Sequence, residues 1–267
     1  MFTASIVTYH TSFDDLSRVI HCVLESSVTF LYVIDNSSND KLREVTALSD
    51  RIKYIHSINL GYGSGHNIAI REAIAKEAKY HVVINPDIYF EEHVLEHISD
   101  YMDANDNIGL VMPKVLYPDG ELQYLCKLLP TPTDLFLRRF NPLKSYAKKQ
   151  NERYELRFTD YNSIMEVPSL SGCFMFMRVS VLQQIGGFDE RFFMYAEDLD
   201  LCRRIGEVYY PKVFVYHEYA KGSYKNRKLL KYHIQSVIKY FNKWGWFFDK
   251  KRKVMNQRFL DRCSQRN

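Results

Sequence analysis

Short apolar runs alternate with helical patterns through the first 112 residues, and this alternation limits the possible folds more than any other feature. The run Phe30-Leu31-Tyr32-Val33-Ile34 has no charged position, as a strand buried on both faces of a parallel sheet requires. Strands that alternate with helices form βαβ units, so the sequence predicts an α/β domain with a mostly parallel sheet flanked by helices. The predicted strands are Ala4–Thr8, Phe30–Ile34, Ile52–Ile58, Tyr80–Asn85 and Ile108–Met112, and the predicted helices are Asp14–Ser26, Gly65–Ala78 and Glu91–Asn105.

Polar residues follow three of these strands. In parallel sheets of this kind, ligands bind beyond the carboxyl ends of the strands. Asp35 can accept hydrogen bonds from a base or ribose, or it can close an Asx turn. The loop Asn59–Asn67 holds three glycines before a helix, which suits a pyrophosphate, while a flexible connection capped by Asn67 explains it equally well. Asp87 follows a proline at the tip of a buried strand, where it can share a divalent cation with a diphosphate or form a simple turn.

Residues 114–165 interrupt the alternation. Tyr117–Glu121 predicts a hairpin turn, and Lys144–Arg157 is charged with little periodicity, so we expect an irregular excursion rather than a second domain. Regular structure returns with a buried strand at Phe174–Met177, a short helix at Val179–Ile185 and a strand at Val208–His217. His217 at the tip of that strand is a candidate metal ligand, although a lone histidine is more often structural.

The stretch Gly186–Arg204 carries the strongest chemical signal of the second half. An aromatic run is followed by Glu197, Asp198 and Asp200, where a helix should begin. Acids in a first turn are commonplace, because they interact favourably with the helix dipole and the unpaired N–H groups. A carboxylate beside apolar rings is also partly desolvated, which raises its pKa toward values that suit a general base. Both interpretations stay open on this stretch alone.

The C-terminal segment is strongly basic. Residues 221–267 hold 14 Lys and Arg against two acids, a net of +12, while the rest of the chain carries −8. A helix over Lys225–Lys243 is predicted with one apolar stripe, which comprises Leu230, Ile234, Val237, Ile238 and Phe241. Trp244, Trp246, Phe247 and Phe248 follow it beside lysines, as at a membrane interface. A helix packed on the body with solvated lysines is the alternative.

Cysteine usage and segment hydropathy bear on the compartment. The five cysteines form no CxxC pair and match no zinc pattern, so we expect reduced thiols in a cytoplasmic protein. The N-terminus lacks the pattern of a signal peptide, and no apolar run reaches the ~18–20 residues that span a bilayer. The expected location is the cytoplasm, peripherally on the inner face of a bacterial plasma membrane.

Taken in their order along the chain, the motifs resemble those of inverting family 2 glycosyltransferases of the GT-A fold. They are most similar to those of the bacterial rhamnosyltransferases of O-antigen and surface polysaccharide synthesis. The resemblance covers residues 1–112 and 166–240. It is carried by the segments SIVTYH, IDNSSND, NLGYGSGHNIAI, VINPDIYF, SGCFMFMR, GGFDERFFMYAEDLDLCRR and VYHEYAKGS.

The resemblance implies a Rossmann-like glycosyltransferase domain over residues 1–220, with a nucleotide-binding half at 1–112 and an acceptor and catalytic half at 113–220. A basic helical region at 221–267 follows. The implied contacts of the nucleotide sugar are Thr8, Asp35, Gly61, Asn67, Asn85 and Asp87.

The resemblance also implies a metal and a catalytic base. Asp87 and His217 would ligate Mg²⁺ or Mn²⁺, although Asn85 replaces the first acid of the family's Asp-X-Asp motif. Asp198 would be the base, supported by Glu197. Gly172, Phe193 and Tyr195 would line the approach of the acceptor.

These roles describe a single displacement that moves a sugar from a dTDP- or UDP-linked donor to a lipid-linked saccharide. L-rhamnose from dTDP-rhamnose is the first expectation, and a UDP-hexose is the alternative. The expected partners are therefore the donor, the acceptor and an anionic membrane surface at 221–267, without nucleic acid. A non-catalytic saccharide- or nucleotide-binding protein is the alternative from another class. A nucleotidyltransferase would need a basic glycine-rich signature that Ile6–Thr11 lacks, and a glycosidase would not need the polar strand ends.

Overall fold

A central mixed sheet organises the protein. The structure is a computed structural model and describes residues 1–135, 144–218 and 227–265. The strands within these residues are β1 Phe2–Thr8, β2 Val28–Asp35, β3 Ile52–His56, β4 Tyr80–Ile84, β5 Ile88–Tyr89, β6 Leu110–Leu116, β7 Cys126–Lys127, β8 Met165–Glu166, β9 Ser169–Leu170, β10 Phe174–Arg178 and β11 Glu207–His217.

The sheet has the order β3-β2-β1-β4-β10-β6-β11-β5, with β8 paired to β11 and a separate pair of β7 with β9. The first four strands in this order are parallel, as the alternation of strands and helices predicted. Strand β10 is antiparallel to both β4 and β6, and β11 is parallel to β6. The second half of the sheet is therefore mixed, and β10 joins it to the parallel half.

Helices cover the sheet and confirm the predicted alternation. They are α1 Phe13–Leu24, a 3-10 helix at Lys41–Leu48, α2 Tyr62–Ala75, α3 Val94–Asp103, α4 Lys144–Tyr154, α5 Val179–Ile185, α6 Glu197–Cys202, α7 Arg227–Trp244 and α8 Lys250–Ser264. One of them corrects the sequence analysis. Lys144–Arg157 was expected to be irregular, but α4 occupies most of it. Helix α8 lies within the basic helical region that was predicted over residues 221–267.

A buried polar chain crosses the parallel half of the sheet. Ser5 on β1 lies with its Oγ 2.7 Å from His66 Nδ1 and 2.8 Å from His81 Nε2, and the Oγ1 of Thr3 lies 2.8 Å from His81 Nδ1. Burial lowers the pKa of His81 to about 3. Burial, and then the proximity of His81, also lower the pKa of His66 well below 6.5. Both imidazoles are therefore neutral in the folded protein, and they satisfy the hydroxyls beside them.

Helices α7 and α8 are bonded to the body of the protein. Arg203, one residue after α6, makes a buried two-point ion pair with Asp249, at 2.5 and 2.8 Å, and its guanidinium stacks 4.3 Å from the Trp244 ring. Lys239 and Lys251 donate to the backbone oxygens of Arg191 and Arg203. Part of the predicted basic surface is thus used inside the fold.

The apolar stripe of α7 divides in two. Phe241 is buried and Val237 packs beside it, whereas Ile234 and Ile238 face outward with exposed fractions of 46% and 42%. None of the helices in the described parts of the chain has the length and apolar character that crossing a bilayer would need. All five cysteines are free thiols.

Candidate active site

The carboxyl ends of β1, β2 and β3 meet at one edge of the sheet, as predicted. Thr8 is paired with Asp35, and Asp35 with His56. Asp35 is fully buried. Its Oδ1 accepts from the Ser37 N–H at 2.9 Å, and its Oδ2 accepts from the Tyr54 hydroxyl at 2.7 Å. Asp35 Oδ1 therefore forms the Asx turn that was one of the two interpretations. The contact of Asp35 with a nucleotide stays a prediction.

Thr8 ends β1 at the same edge. Its Oγ1 is buried and has no hydrogen-bond partner among the described residues. A buried hydroxyl without a partner is costly, so this atom is available to a ligand that reaches the edge.

The glycine-containing loop Asn59–Asn67 packs against other parts of the protein. Helix α2 begins at Tyr62, and Gly61 before it has φ +109°, which side chains rarely adopt. A Cβ on Gly61 would lie 2.2 Å from the Phe193 oxygen, which also accepts from the Tyr62 N–H at 2.8 Å. Gly61 thus permits a close approach between the start of α2 and the segment 186–195.

Asn67 has a different role from the predicted one. Its amide nitrogen donates to the Phe188 oxygen at 2.9 Å and to Glu190 Oε1 at 3.0 Å, and its Oδ1 accepts from the Phe188 N–H at 2.9 Å. Gly187 has φ +69°, and a Cβ there would lie 2.5 Å from Asn67 Oδ1. The structure therefore places Asn67 in the joint between α2 and the segment 186–195, where protein groups occupy its amide.

The two predicted metal ligands are neighbours. Strand β5 follows the Asn85-Pro86-Asp87 turn and pairs with the end of β11, which brings Asp87 Oδ1 to 3.3 Å from His217 Nε2. Gln123 Oε1 lies 2.9 Å from His217 Nδ1 and orients the ring. His217 is buried, and the Asp87 side chain is 36% exposed. No set of three His, Cys, Asp or Glu side chains suited to a metal occurs within 1–135, 144–218 and 227–265.

Asn85 faces a tyrosine. The Tyr62 hydroxyl lies 2.9 Å from Asn85 Oδ1 and 2.7 Å from the Gly172 oxygen. The Asn85 N–H also donates to the Cys173 oxygen at 2.9 Å. The turn that holds Asp87 is therefore joined to the segment around Gly172.

The acidic pair stands at the start of α6, as predicted. Tyr195 and Ala196, directly before it, have φ values of +69° and +64°, a conformation uncommon for residues with side chains. Asp198 Oδ1 accepts from the Leu199 N–H at 2.8 Å, and its Oδ2 accepts from the Gly172 N–H at 3.2 Å. Asp198 is half-buried, whereas Glu197 is 7% exposed, so Asp198 is the more accessible carboxylate.

Glu197 has an altered proton affinity. Burial, and next the negative charge of Asp198, raise the pKa of Glu197 to about 8. Its Oε2 is buried and has no hydrogen-bond partner in the described part of the chain. The protonated form of Glu197 is therefore favoured at neutral pH.

The rest of α6 fixes the pair in place. The buried carboxylate of Asp200 accepts from Arg204 Nε at 2.9 Å and from Trp244 Nε1 at 2.8 Å, and it pairs with Lys243 at 2.6 Å. Arg204 also donates to the Gly187 oxygen at 2.9 Å. Asp200 and Arg204 therefore hold the start of this region in place, and α7 contributes Lys243 and Trp244 to the same cluster.

The predicted acceptor-side rings lie under α7. The Phe193 ring packs against Tyr232 with 4.5 Å between centroids, and the Tyr195 ring packs against His233 with 5.0 Å. Ser236 donates to the Met194 oxygen at 2.8 Å. This position of α7 agrees with the alternative of a helix packed on the body, which the apolar pattern alone could not distinguish from a helix on a membrane surface.

Two cavities differ in their relation to these residues. One of 350 Å³ is lined by His10, Ser12, Arg18, Asp87 and Glu218, with an ion pair between Arg18 and Glu218. Arg18 was not singled out in the sequence, since it lies in the middle of a helix. A larger cavity of 840 Å³ lies at the opposite edge of the sheet and contains none of the predicted site residues. We therefore place the site at the smaller cavity, where the candidate ligand Asp87 lies.

Comparison with known proteins identifies the family. The model of glycosyl transferase family 2 matches residues 4–186, more than half of the chain. The chain is 27% identical over 201 residues to the low-salt glycan biosynthesis hexosyltransferase Agl10 of Haloferax volcanii, covering 74% of this chain and 60% of the relative. It is 31% identical over 183 residues to N-acetylglucosaminyl-diphospho-decaprenol L-rhamnosyltransferase of Mycobacterium tuberculosis, covering 62% and 58%. It is 22% identical over 273 residues to rhamnosyltransferase WbbL of Escherichia coli K12, covering 97% of both chains.

Solved structures share the fold at low identity. GalNAc-T7, solved with UDP, GalNAc and Mn²⁺, superposes with a TM-score of 0.64 at 13% identity, covering 94% of this chain and 48% of that one. Residues 1–349 of S. aureus TarS superpose with a TM-score of 0.54 at 14% identity, covering 90% and 72%. The chain spans about 60% of the length of the Haloferax and Mycobacterium relatives. On the family match and the shared fold, this chain belongs to glycosyl transferase family 2.

Proposed function

We propose that the protein is an inverting, metal-dependent hexosyltransferase. One observation carries the proposal. Asp87 of the Asp87–His217 pair shares its turn with Asn85, and hydrogen bonds lead from Asn85 through Tyr62 and Gly172 to Asp198, so one edge of the sheet holds both a ligand pair and an acidic pair. A family 2 transferase needs both, the first for a diphosphate and the second for an acceptor hydroxyl.

Asp198 is the proposed general base. It takes the proton of the acceptor hydroxyl, whose oxygen attacks the anomeric carbon from the face opposite the diphosphate. The new bond joins the acceptor oxygen to that carbon, the bond from the carbon to the phosphate oxygen breaks, and the nucleoside diphosphate leaves with the electron pair. Such a base contributes ~10²–10⁴-fold in rate. The two N–H groups that bind Asp198 hold its oxygens in place.

Asp87 and His217 would hold a Mg²⁺ or Mn²⁺ ion. The fit rests on a carboxylate and an imidazole 3.3 Å apart, with Asp87 Oδ1 buried and without a conventional hydrogen bond. A carboxylate suits either ion, and the imidazole favours Mn²⁺. When bound, the ion would offset the charge that grows on the leaving diphosphate. Asn85 contributes to this site only by holding the turn.

L-rhamnose from dTDP-rhamnose is the proposed donor sugar. Two relatives are rhamnosyltransferases by name, and the motifs of the sequence resemble the same group. A UDP-hexose is the second candidate, because Agl10 is named as a hexosyltransferase and GalNAc-T7 was solved with UDP.

The proposed acceptor is a lipid-linked saccharide of surface polysaccharide synthesis, on the cytoplasmic face of the plasma membrane. The Mycobacterium relative is named for a decaprenol-linked acceptor. The turn between α7 and α8 exposes Phe247 by 73% and Phe248 by 98%. Residues 227–265 carry 11 Lys and Arg against two acids. Exposed aromatic rings beside cations suit an anionic lipid surface.

The function is tested with a panel of sugar nucleotides, with and without Mn²⁺. We expect release of nucleoside diphosphate from one donor, and we expect Asp198→Asn to lose turnover by at least ~10²-fold while it still binds the donor. Binding without turnover in the wild-type protein would instead support the non-catalytic alternative. Turnover of Asp198→Asn near the wild-type rate would remove Asp198 from the role of base.

Membrane binding is tested by flotation with vesicles that contain anionic lipid. Replacing Phe247 and Phe248 by serine should abolish flotation, and Phe158→Ser is the matched control, because Phe158 is 52% exposed elsewhere on the surface. Equal flotation of neutral and anionic vesicles would contradict the electrostatic part of the proposal.

A further inference from the structure

One tyrosine hydroxyl joins the two halves of the candidate site. Tyr62 Oη lies 2.9 Å from Asn85 Oδ1 and 2.7 Å from the Gly172 oxygen. The mechanism proposed above uses Asp87 and Asp198 but assigns no role to Tyr62. Its position between them raises the question of what the hydroxyl does.

Both partners of the hydroxyl lead directly to a reacting group. Gly172 accepts from Tyr62 through its oxygen and donates through its N–H to Asp198 Oδ2 at 3.2 Å. Asn85 stands two residues before Asp87, in the same tight turn. The hydroxyl is therefore one hydrogen-bonded residue away from the proposed base and two residues along the chain from the proposed metal ligand.

The tyrosine ring is held firmly enough to act as a spacer. The ring of His66 contacts it edge-on, with 4.5 Å between centroids, and Ser5 holds His66 at 2.7 Å. The Tyr62 N–H donates to the Phe193 oxygen at 2.8 Å. Because both the ring and the backbone of Tyr62 are fixed, the hydroxyl has a defined position relative to the sheet.

Counting protons explains why residue 85 suits this contact. A hydroxyl donates one proton, so it cannot donate fully to both the Gly172 oxygen and the Asn85 oxygen. Turning the Asn85 amide about its last bond presents its NH₂ group to Tyr62 Oη, and both contacts are then satisfied. An aspartate could not donate in this way. Asparagine at position 85, where the family's motif has an acid, therefore lets the Tyr62 hydroxyl keep both of its contacts.

We propose that Tyr62 is a positioning residue whose hydroxyl sets the distance between the Asp87 turn and the Asp198 loop, with Asn85 as its partner. The reaction that this spacing serves rests on the proposed function, whereas the contacts do not. Burial, and then the charges of the nearby acids, raise the pKa of Tyr62 well above 10, so the hydroxyl keeps its proton over the whole assay range.

The first test compares Tyr62→Phe with Tyr80→Phe. Tyr80 is a matched control, because its hydroxyl bonds to Asp103 at the opposite edge of the sheet. With the donor that the wild-type protein turns over, Tyr62→Phe should lower kcat at least tenfold and change the donor KM less than threefold. Tyr80→Phe should change neither more than twofold. A fall in kcat for Tyr62→Phe no larger than that of the control would overturn the proposal.

The second test needs no turnover. Hydrogen exchange of the Gly172 amide, followed in peptides over 169–173, should become at least fivefold faster in Tyr62→Phe and stay unchanged in Tyr80→Phe. Unchanged exchange would overturn the proposal even if the reaction is confirmed. If no sugar nucleotide is turned over, the proposed function fails and the exchange result still decides the role of Tyr62. Should Tyr62→Phe not fold, Asn85→Ala breaks the same link and is judged by the same exchange.

Discussion

Replacing Glu197 by glutamine should stabilise the protein at neutral pH, although the residue belongs to the acidic pair. Burial, and then the charge of Asp198, raise the pKa of Glu197 from 4.5 to about 8. The folded state therefore binds this proton more tightly than the unfolded state. Its contribution to stability is complete below pH 4.5 and is lost as the pH rises from 4.5 toward 8.

The size of the effect follows from this shift. Each pH unit between 4.5 and the assay pH costs about 1.4 kcal/mol, so the cost at pH 7 is roughly 3 kcal/mol. Glutamine is neutral and has nearly the shape of protonated glutamate, so Glu197→Gln should remove that cost. The gain should vanish near pH 4.5 and grow up to pH 8.

Urea unfolding at a series of pH values, followed by the fluorescence of Trp244 and Trp246, measures the gain. Glu44→Gln is the control, because Glu44 is exposed and should change the free energy of unfolding by less than ~0.5 kcal/mol. A gain that is independent of pH, or absent at pH 8, would refute the raised pKa of Glu197.

Three further predictions address the tail, the glycine loop and the metal. Asp249→Ala should lower the free energy of unfolding by ~3–5 kcal/mol, because it leaves the buried Arg203 charge without its partner. Urea unfolding measures this loss, and a loss as small as that of the exposed Asp261→Ala would contradict the prediction. Gly61→Ala should destabilise far more than Gly120→Ala, since both have positive φ but only Gly61 would place a Cβ 2.2 Å from the Phe193 oxygen; thermal melts that rank the two variants equally would count against the close approach. Asp87→Asn and His217→Ala should each weaken Mn²⁺ binding at least tenfold, as measured by electron paramagnetic resonance, whereas the control Asp119→Asn should bind Mn²⁺ like the wild-type protein. Unchanged binding in the first two variants would show that Asp87 and His217 are not the metal ligands.

The parallel half of the fold could be predicted because burial on both faces leaves a simple mark. The strands β1, β2 and β4 are almost wholly buried, and the polar residues that follow them lie at one edge of the sheet. The acids of α6 were also visible, since they stand where the chain changes from an aromatic run to a helical pattern. Local sequence was enough for these features.

The contacts of single side chains could not be predicted in the same way. Asn67 and the glycines near it fit a phosphate loop and a packed joint equally well, because both need small residues and amide groups. Arg203 and Asp249 lie 46 residues apart, and nothing local indicates that they pair. The lysines of α7 and α8 looked like a solvated surface, yet Lys239 and Lys251 bond to backbone oxygens of the body.

The buried polar chain of the sheet has a consequence for the proton balance of unfolding. Glu207, like Glu197, has its pKa raised by burial, and to well above 4.5. Unfolding therefore lets His66 and His81 take up protons below a pH of about 6.5, where free imidazoles are charged, while the two glutamates release protons above about 4.5. In mild acid these two exchanges oppose each other, so the buried histidines and the buried glutamates offset each other's effect on the pH dependence of stability. In stronger acid the histidines alone make a fall in pH destabilising, and at higher pH the glutamates alone make a rise in pH destabilising.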